Sequence, residues 1–185
     1  TANDGGGRDA DPTDPGDWVA ANDCGAGKPA RNSSWHGTHV TGILAAASNN
    51  SQGVAGVNWQ VSLMALKFED SRGIGYTSSV LAALNYATMM RHDHGIDIVA
   101  TNNSWQSLGG FSSLVQDAIR AEGDAGIVFV AAAGNDGTTA LSYPAGYASV
   151  VSVAAIDETK AWASFSQYNS KVELSAPGVN VLSTV

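Results

Sequence analysis

Cysteine is nearly absent. Cys24 stands alone in 185 residues, so no disulfide closes within the chain, and its thiol is either free or paired with something outside it. Basic residues are scarce as well. Nine Lys and Arg against seventeen Asp and Glu leave a net charge of −8, which lacks the clustered cations that phosphate binding needs. Long apolar runs are missing, since nothing approaches the roughly eighteen uncharged apolar residues of a membrane span. The opening "TANDGGGRDADPTD" has neither a basic n-region nor an apolar h-region. We therefore expect no nucleic-acid partner and no membrane association, and see no signal peptide.

What is present suits one globular domain, or a large piece of one: 44% of the 185 residues are apolar, enough for one substantial core. Residues 1–35 are rich in Gly, Asp, Asn and Pro and read as a surface loop. Asp4, Asp9, Asp11, Asp14, Asp17 and Asp23 crowd the first 23 residues, opposed there only by Arg8. That crowding is either a solvated loop or a hard-cation site. The chain starts in a polar tract and stops at "VNVLSTV", a strand followed by nothing, so an internal piece is expected.

From residue 36 onward, helical and strand patterns alternate. His36 to Ala47 suits a helix of small residues, and "VSLMALKF" (61–68) is an apolar run of strand length. "TSSVLAALNYATMMR" (77–91) predicts a helix capped by Thr77 or Ser78, with Val80, Leu81, Leu84 and Met90 on its apolar side. A strand over 96–101, a helix over 112–123 ended by Gly123, and strands over 126–133, 150–156 and 171–178 complete the pattern. Apolar strands separated by helices imply a parallel sheet with both faces covered, wound through right-handed crossovers. Ligands gather at the carboxyl ends of such strands. "NNSWQSLGG" (102–110) and "GNDG" (134–137) follow two of them.

His36 and His39 in "SWHGTHVTGILAAAS" raise three options: metal ligands, core residues, or one base with a structural neighbour. A zinc-binding His-Glu-x-x-His helix needs spacing i, i+4 and a Glu; here the spacing is i, i+3 around Gly37 and Thr38. His92 and His94 fall at a helix end, where cationic groups complement exposed carbonyls. His36 is either a capping histidine or a general base. The positive potential of a helix N-terminus disfavours imidazolium, as a base requires, and Gly37 leaves room beside the ring. His39 faces the packing stripe and is expected to be buried and hydrogen-bonded.

"VFVAAAGNDG" (128–137) is either an ordinary strand and turn or a mount for the Asn135 amide as donor to an oxyanion. "NNSWQSLGG" is either a loop or an extended edge whose backbone pairs with a peptide. "CGAGKPAR" offers no phosphate loop, because Lys28 precedes Pro29 and position 22 is Asn.

Together and in order, "HGTHVTGILAA", "AAAGNDG", "YPAGYASVVSVAA" and "FSQYNSKVELSAPGVNVLST" resemble the subtilisin-like serine proteases, particularly the secreted bacterial ones, over roughly residues 34–185. The resemblance implies a three-layer α/β/α fold with a mainly parallel central sheet, incomplete at both ends. It implies His36 as general base and Asn135 as oxyanion donor, and Ser104, Trp105, Gln106, Ala131, Ala132, Ala133 and Gly134 as strand edges flanking the substrate. "SNNSQGV" (48–54) resembles a family loop that binds calcium through carbonyls and an Asn, here Asn50. No organic cofactor is implied. The expected partners are a peptide or protein substrate and a pro-peptide, and the protein is expected to be a secreted monomer.

The chain departs from the family at three points. No Asp-Thr-Gly or Asp-Ser-Gly occurs in residues 1–35, no Gly-Thr-Ser follows Ala176, Pro177 and Gly178, and Gln106 stands where relatives usually have Gly. Of the Ser/His/Asp triad only the histidine is found, so these 185 residues alone are expected to be inactive. Two rivals remain at this point: a non-catalytic peptide-binding domain of the same family, and a metal-dependent hydrolase. The peptidase reading requires the ring of His36 and the amide of Asn135 to converge on one cleft.

Overall fold

The computed structural model describes residues 15–184. Asp4, Asp9, Asp11, Asp14 and Arg8 of the acidic opening lie outside them. The chain forms two compact units, one running to Ala83 and including residues from Leu182 onward, the other spanning Leu84–Val181.

The first unit is built on α1 (His36–Ala45). Its small residues allow close approach. Gly42 is buried against Ser183 and Thr184, whose hydroxyls donate to the carbonyls of His39 at 2.6 Å and Thr38 at 2.9 Å. The last carbonyls of a helix lack intrahelical partners. Here the amides of Gly56, Val57 and Asn58 donate to Ala46, Ile43 and Leu44. Val19 and Arg31 form an antiparallel bridge across the otherwise irregular segment before α1. Cys24 is exposed as a free thiol.

Residues 61–68, predicted as a strand, form none. An apolar run becomes a strand only where a neighbouring backbone completes its ladder, and this one has just a bridge beyond it between Glu69 and Gly75. Helix α2 (Thr77–His92) follows. Thr77 is its first residue, and the Tyr76 carbonyl accepts from Ser79 and Val80 at its head. Val80, Leu84 and Ala87 are its buried apolar stripe.

The second unit carries four strands: β1 (Ala100–Asn103), β2 (Val128–Ala132), β3 (Val150–Ile156) and β4 (Val172–Pro177). They form one parallel sheet in the order β1-β2-β3-β4. Phe129, Ile127, Ala131, Ala133 and Ala154 are buried in its core. Strand β1 lies further along the chain than the predicted 96–101, because its ladder begins only where Ala100 meets Val128.

Helix α3 (Ser113–Asp124) joins β1 to β2 and packs on β2. Its buried Val115, Ala118, Ile119 and Glu122 recur at helical spacing, and the Ser112 hydroxyl caps its start by accepting from Val115 N at 3.5 Å. The helix continues past Gly123. Gly126, at φ 81°, makes the left-handed turn into β2.

Candidate active site

His36 is the first residue of α1 and is exposed. Trp35 before it takes a left-handed conformation, φ 52°, and no side chain caps the helix. The entry turn is held from upstream instead: Asp17 Oδ1 accepts from Ser34 N at 2.6 Å. Glu69 shares the electrostatic surroundings of His36. Burial raises its carboxyl above the usual range, His36 opposes that shift, and Asp70 and Asp17 add to it. The sequence offers no local signal for this pairing, since Glu69 lies just beyond the predicted strand 61–68 and far along the chain from His36.

His39 is half-buried, less enclosed than predicted, because Gly42 is the one fully buried residue of α1. No group of three or more His, Cys, Asp or Glu among the described residues is placed to hold a metal. His92 sits in the last turn of α2, where its Nδ1 lies 2.6 Å from Asp93 Oδ1.

In the second unit, register does the positioning. Asn103 pairs with Ala131 across β1 and β2, so the segments leaving these strands depart side by side from one sheet edge. Gln106 from the first and Asp136 from the second meet there, Gln106 Nε2 donating to Asp136 Oδ2 at 2.9 Å. Ser107 N donates to the Tyr143 carbonyl at 2.7 Å, and residues 108–109 form a turn with Leu108 fully exposed. Of "NNSWQSLGG" only Asn102 and Asn103 belong to strand β1, and residues 104–107 leave it without regular structure before the turn.

Strand alternation divides the alanines. Ala131 and Ala133 are each 2% exposed in the core, whereas Ala132 faces out, Gly134 is buried and Asn135 is exposed. Of the three alanines, Ala132 alone is exposed. Asn135 projects just beyond β2 with its amide free to meet solvent or a ligand.

Behind this edge runs a chain of hydrogen bonds. Trp105 Nε1 donates to Asn103 Oδ1 at 3.1 Å, Asn103 Nδ2 to Thr101 Oγ1 at 3.2 Å, and Thr101 Oγ1 to Glu122 Oε2 at 2.9 Å. Glu122 is wholly buried, and its Oε1 has no partner among the described residues. Burial pushes its carboxyl up to about 7, against the opposing pull of the Thr101 hydroxyl. The carboxyl of Asp136, in contrast, is held below its usual range, first by the Gln106 amide and then by that of Gln167.

The Asn50 loop lies in the first unit. Residues 49–55 line an open depression of about 250 Å³. Asn50 Oδ1 accepts from Gln52 N at 3.0 Å.

The sequence model of the Subtilase family matches residues 4–185. The chain is 39% identical to the extracellular protease of Xanthomonas campestris pv. campestris over an alignment covering 100% of this chain and 33% of the relative. Against thermitase of Thermoactinomyces vulgaris it is 39% identical over 83% of this chain and 53% of the relative. Among solved structures, a protease of Pseudoalteromonas arctica is similar with a TM-score of 0.82 at 40% identity, covering 95% of this chain and 53% of that one. The chain thus spans about a third to about half the length of these relatives. With the parallel sheet and its helices already described, these matches place the chain in the Subtilase family, with a subtilisin-like α/β fold.

Proposed function

We propose that the chain carries the general-base and oxyanion parts of a serine endopeptidase. One observation carries this reading beyond family membership: Asn135 stands exposed at the carboxyl end of β2, beside the segment that leaves β1 and meets it through Gln106 and Asp136, where a parallel sheet presents ligand-binding groups. His36 takes the proton of a serine supplied outside these residues, and that oxygen attacks the peptide carbonyl. The Asn135 amide donates to the oxyanion as it forms; His36 then protonates the leaving amine, and water repeats the attack on the acyl-enzyme. Ser104, Trp105 and Gln106 on one side, and Ala132 and Gly134 on the other, flank the bound peptide.

The test is made in the full-length protein. Asn135→Ala lowers kcat by about 10²- to 10³-fold with little change in KM, because the donor acts only on the developing charge. An unchanged kcat would overturn Asn135 as the donor. Residues 1–185 expressed alone release no peptide product, and turnover blocked by a serine-directed reagent would overturn that expectation.

Calcium binding at the 48–54 loop through Asn50 Oδ1 and backbone carbonyls forms a second part of the proposal, supported by the amide and hydroxyl side chains of Asn49, Asn50, Ser51 and Gln52 that line that depression. Calcium raises the melting temperature of wild type and not of Asn50→Ala. We also propose secretion and a monomeric state, with a pro-peptide as a transient partner. The name of the Xanthomonas relative and the acidic composition support the first of these.

A further inference from the structure

We propose that Gln167 is the positioning residue for Asn135: this one buried residue holds the backbone on both sides of that amide, Gly134 through its own backbone N and Asp136 through its side chain, and fixes where the amide points. The inference rests on the reading of Asn135 as oxyanion donor. Gln167 is 1% exposed, in a segment that is itself anchored. Its neighbour Ser166 accepts from Ala155 N of β3 at 3.0 Å and receives Trp162 Nε1 on its carbonyl at 3.2 Å.

From this platform Gln167 makes three contacts around Asn135. Its backbone N donates to the Gly134 carbonyl at 3.2 Å. Its Oε1 accepts from Asp136 N at 2.8 Å, and its Nε2 donates to Asp136 Oδ2 at 2.9 Å. The residues before and after Asn135 are thus tied to the same residue, Gly134 by its backbone N and Asp136 by its side chain. That same Asp136 oxygen receives Gln106 Nε2, so the clamp also joins the segment after β1 to the one after β2.

The fit excludes alternatives. Gly134 has φ 117°, and a Cβ there would lie 2.7 Å from Gln167 Cδ, so the glycine is what lets the glutamine in. The amide side chain presents a donor and an acceptor on neighbouring atoms, as these two bonds to Asp136 require. A carboxylate at 167 would keep the bond to Asp136 N and set a second oxygen against Asp136 Oδ2, where two ions cannot coexist without a shared proton. The groups that hold the Asp136 carboxyl are both neutral amides, Gln106 and Gln167. Asp136 is therefore the one charged partner a new carboxylate would meet in this clamp.

The experiment is a double-mutant cycle in the full-length protease, with kcat and KM measured for a peptide substrate. Gln167→Met, which keeps the volume and removes both polar atoms, lowers kcat by about tenfold or more with KM little changed, as expected for a misaimed transition-state donor. In the Asn135→Ala background the same substitution has no further effect on kcat. An equal loss in both backgrounds overturns the inference, because Gln167 would then act through something other than Asn135. Should Gln167→Met fail to fold, Gln167→Glu decides: its kcat relative to wild type rises as the pH is lowered, since a proton restores the donor. A ratio independent of pH overturns the inference. If Asn135→Ala alone leaves kcat intact, the oxyanion reading itself has failed; if only the Gln167 variants are silent, that reading stands and the positioning role falls.

Discussion

Asp136 and Glu122 are two carboxyls of one unit, and the fold treats them oppositely. Asp136 lies exposed on the rim, accepts two amide donors and is held below its usual range; Glu122 lies wholly buried beneath β1, has one hydroxyl donor and is pushed up to about 7. The difference shows that donors and water determine whether a carboxyl in this sheet remains an ion. Two donors at the edge suffice, while one donor under the sheet does not offset lost hydration.

The largest expected effect sharpens this contrast through pH. The Glu122 carboxyl is raised in the folded protein, so its contribution is fully present below the unfolded value of 4.5 and is lost as pH climbs through about 7. By linkage the loss amounts to about 3 kcal/mol. Denaturant unfolding at a series of pH values reads it, and Glu122→Gln, which cannot ionise, flattens the profile over that window. An unchanged slope in that variant would break the comparison.

Next in size is Gly134→Ala. A methyl group at φ 117°, aimed at Gln167, combines backbone strain with overpacking, and a destabilisation of about 2 kcal/mol is expected in thermal unfolding. Smaller still is Thr101→Val, which removes the donor to Glu122 and costs about 1 kcal/mol near neutral pH. It also moves the Glu122 midpoint further up, as carboxyl NMR titration would show.

The smallest global effect belongs to Asp136→Ala. Amide exchange quickens across residues 134–137 while the melting temperature stays nearly constant, since this carboxyl is solvated. The sign of its pH dependence is opposite to that of Glu122. A depressed carboxyl contributes stability above its unfolded value of 3.8, lost as pH falls through the lower native one.

Periodicity in the sequence captured the local elements well. Strand β3 matches the predicted 150–156, and α2 and α3 begin and end within a residue or two of their predicted bounds, because apolar spacing is a local signal. Residues 61–68 carried the same apolar signal and formed no strand, for lack of a partner ladder. His36 at a helix head and Asn135 at a strand end were likewise legible, each from its own short motif. Glu69, Glu122 and Gln167 were not, and for a common reason. Gln167 meets Asp136 across 31 positions and Thr101 meets Glu122 across 21, and no local pattern marks such pairs.

Composition and ordered motifs by themselves determined the family, the alternation of helix and strand, and which two side chains carry the proposed chemistry. The tertiary structure alone decided that Ala131 and Ala133 serve the core while Ala132 faces out, that Glu122 is buried without a second donor among the described residues, and that Gln167 grips the backbone around Asn135. Residue type and spacing constrain what a segment does locally. Burial and hydrogen-bond partners are supplied by distant chain, and these decide whether a polar group is an ion, a clamp or part of the core.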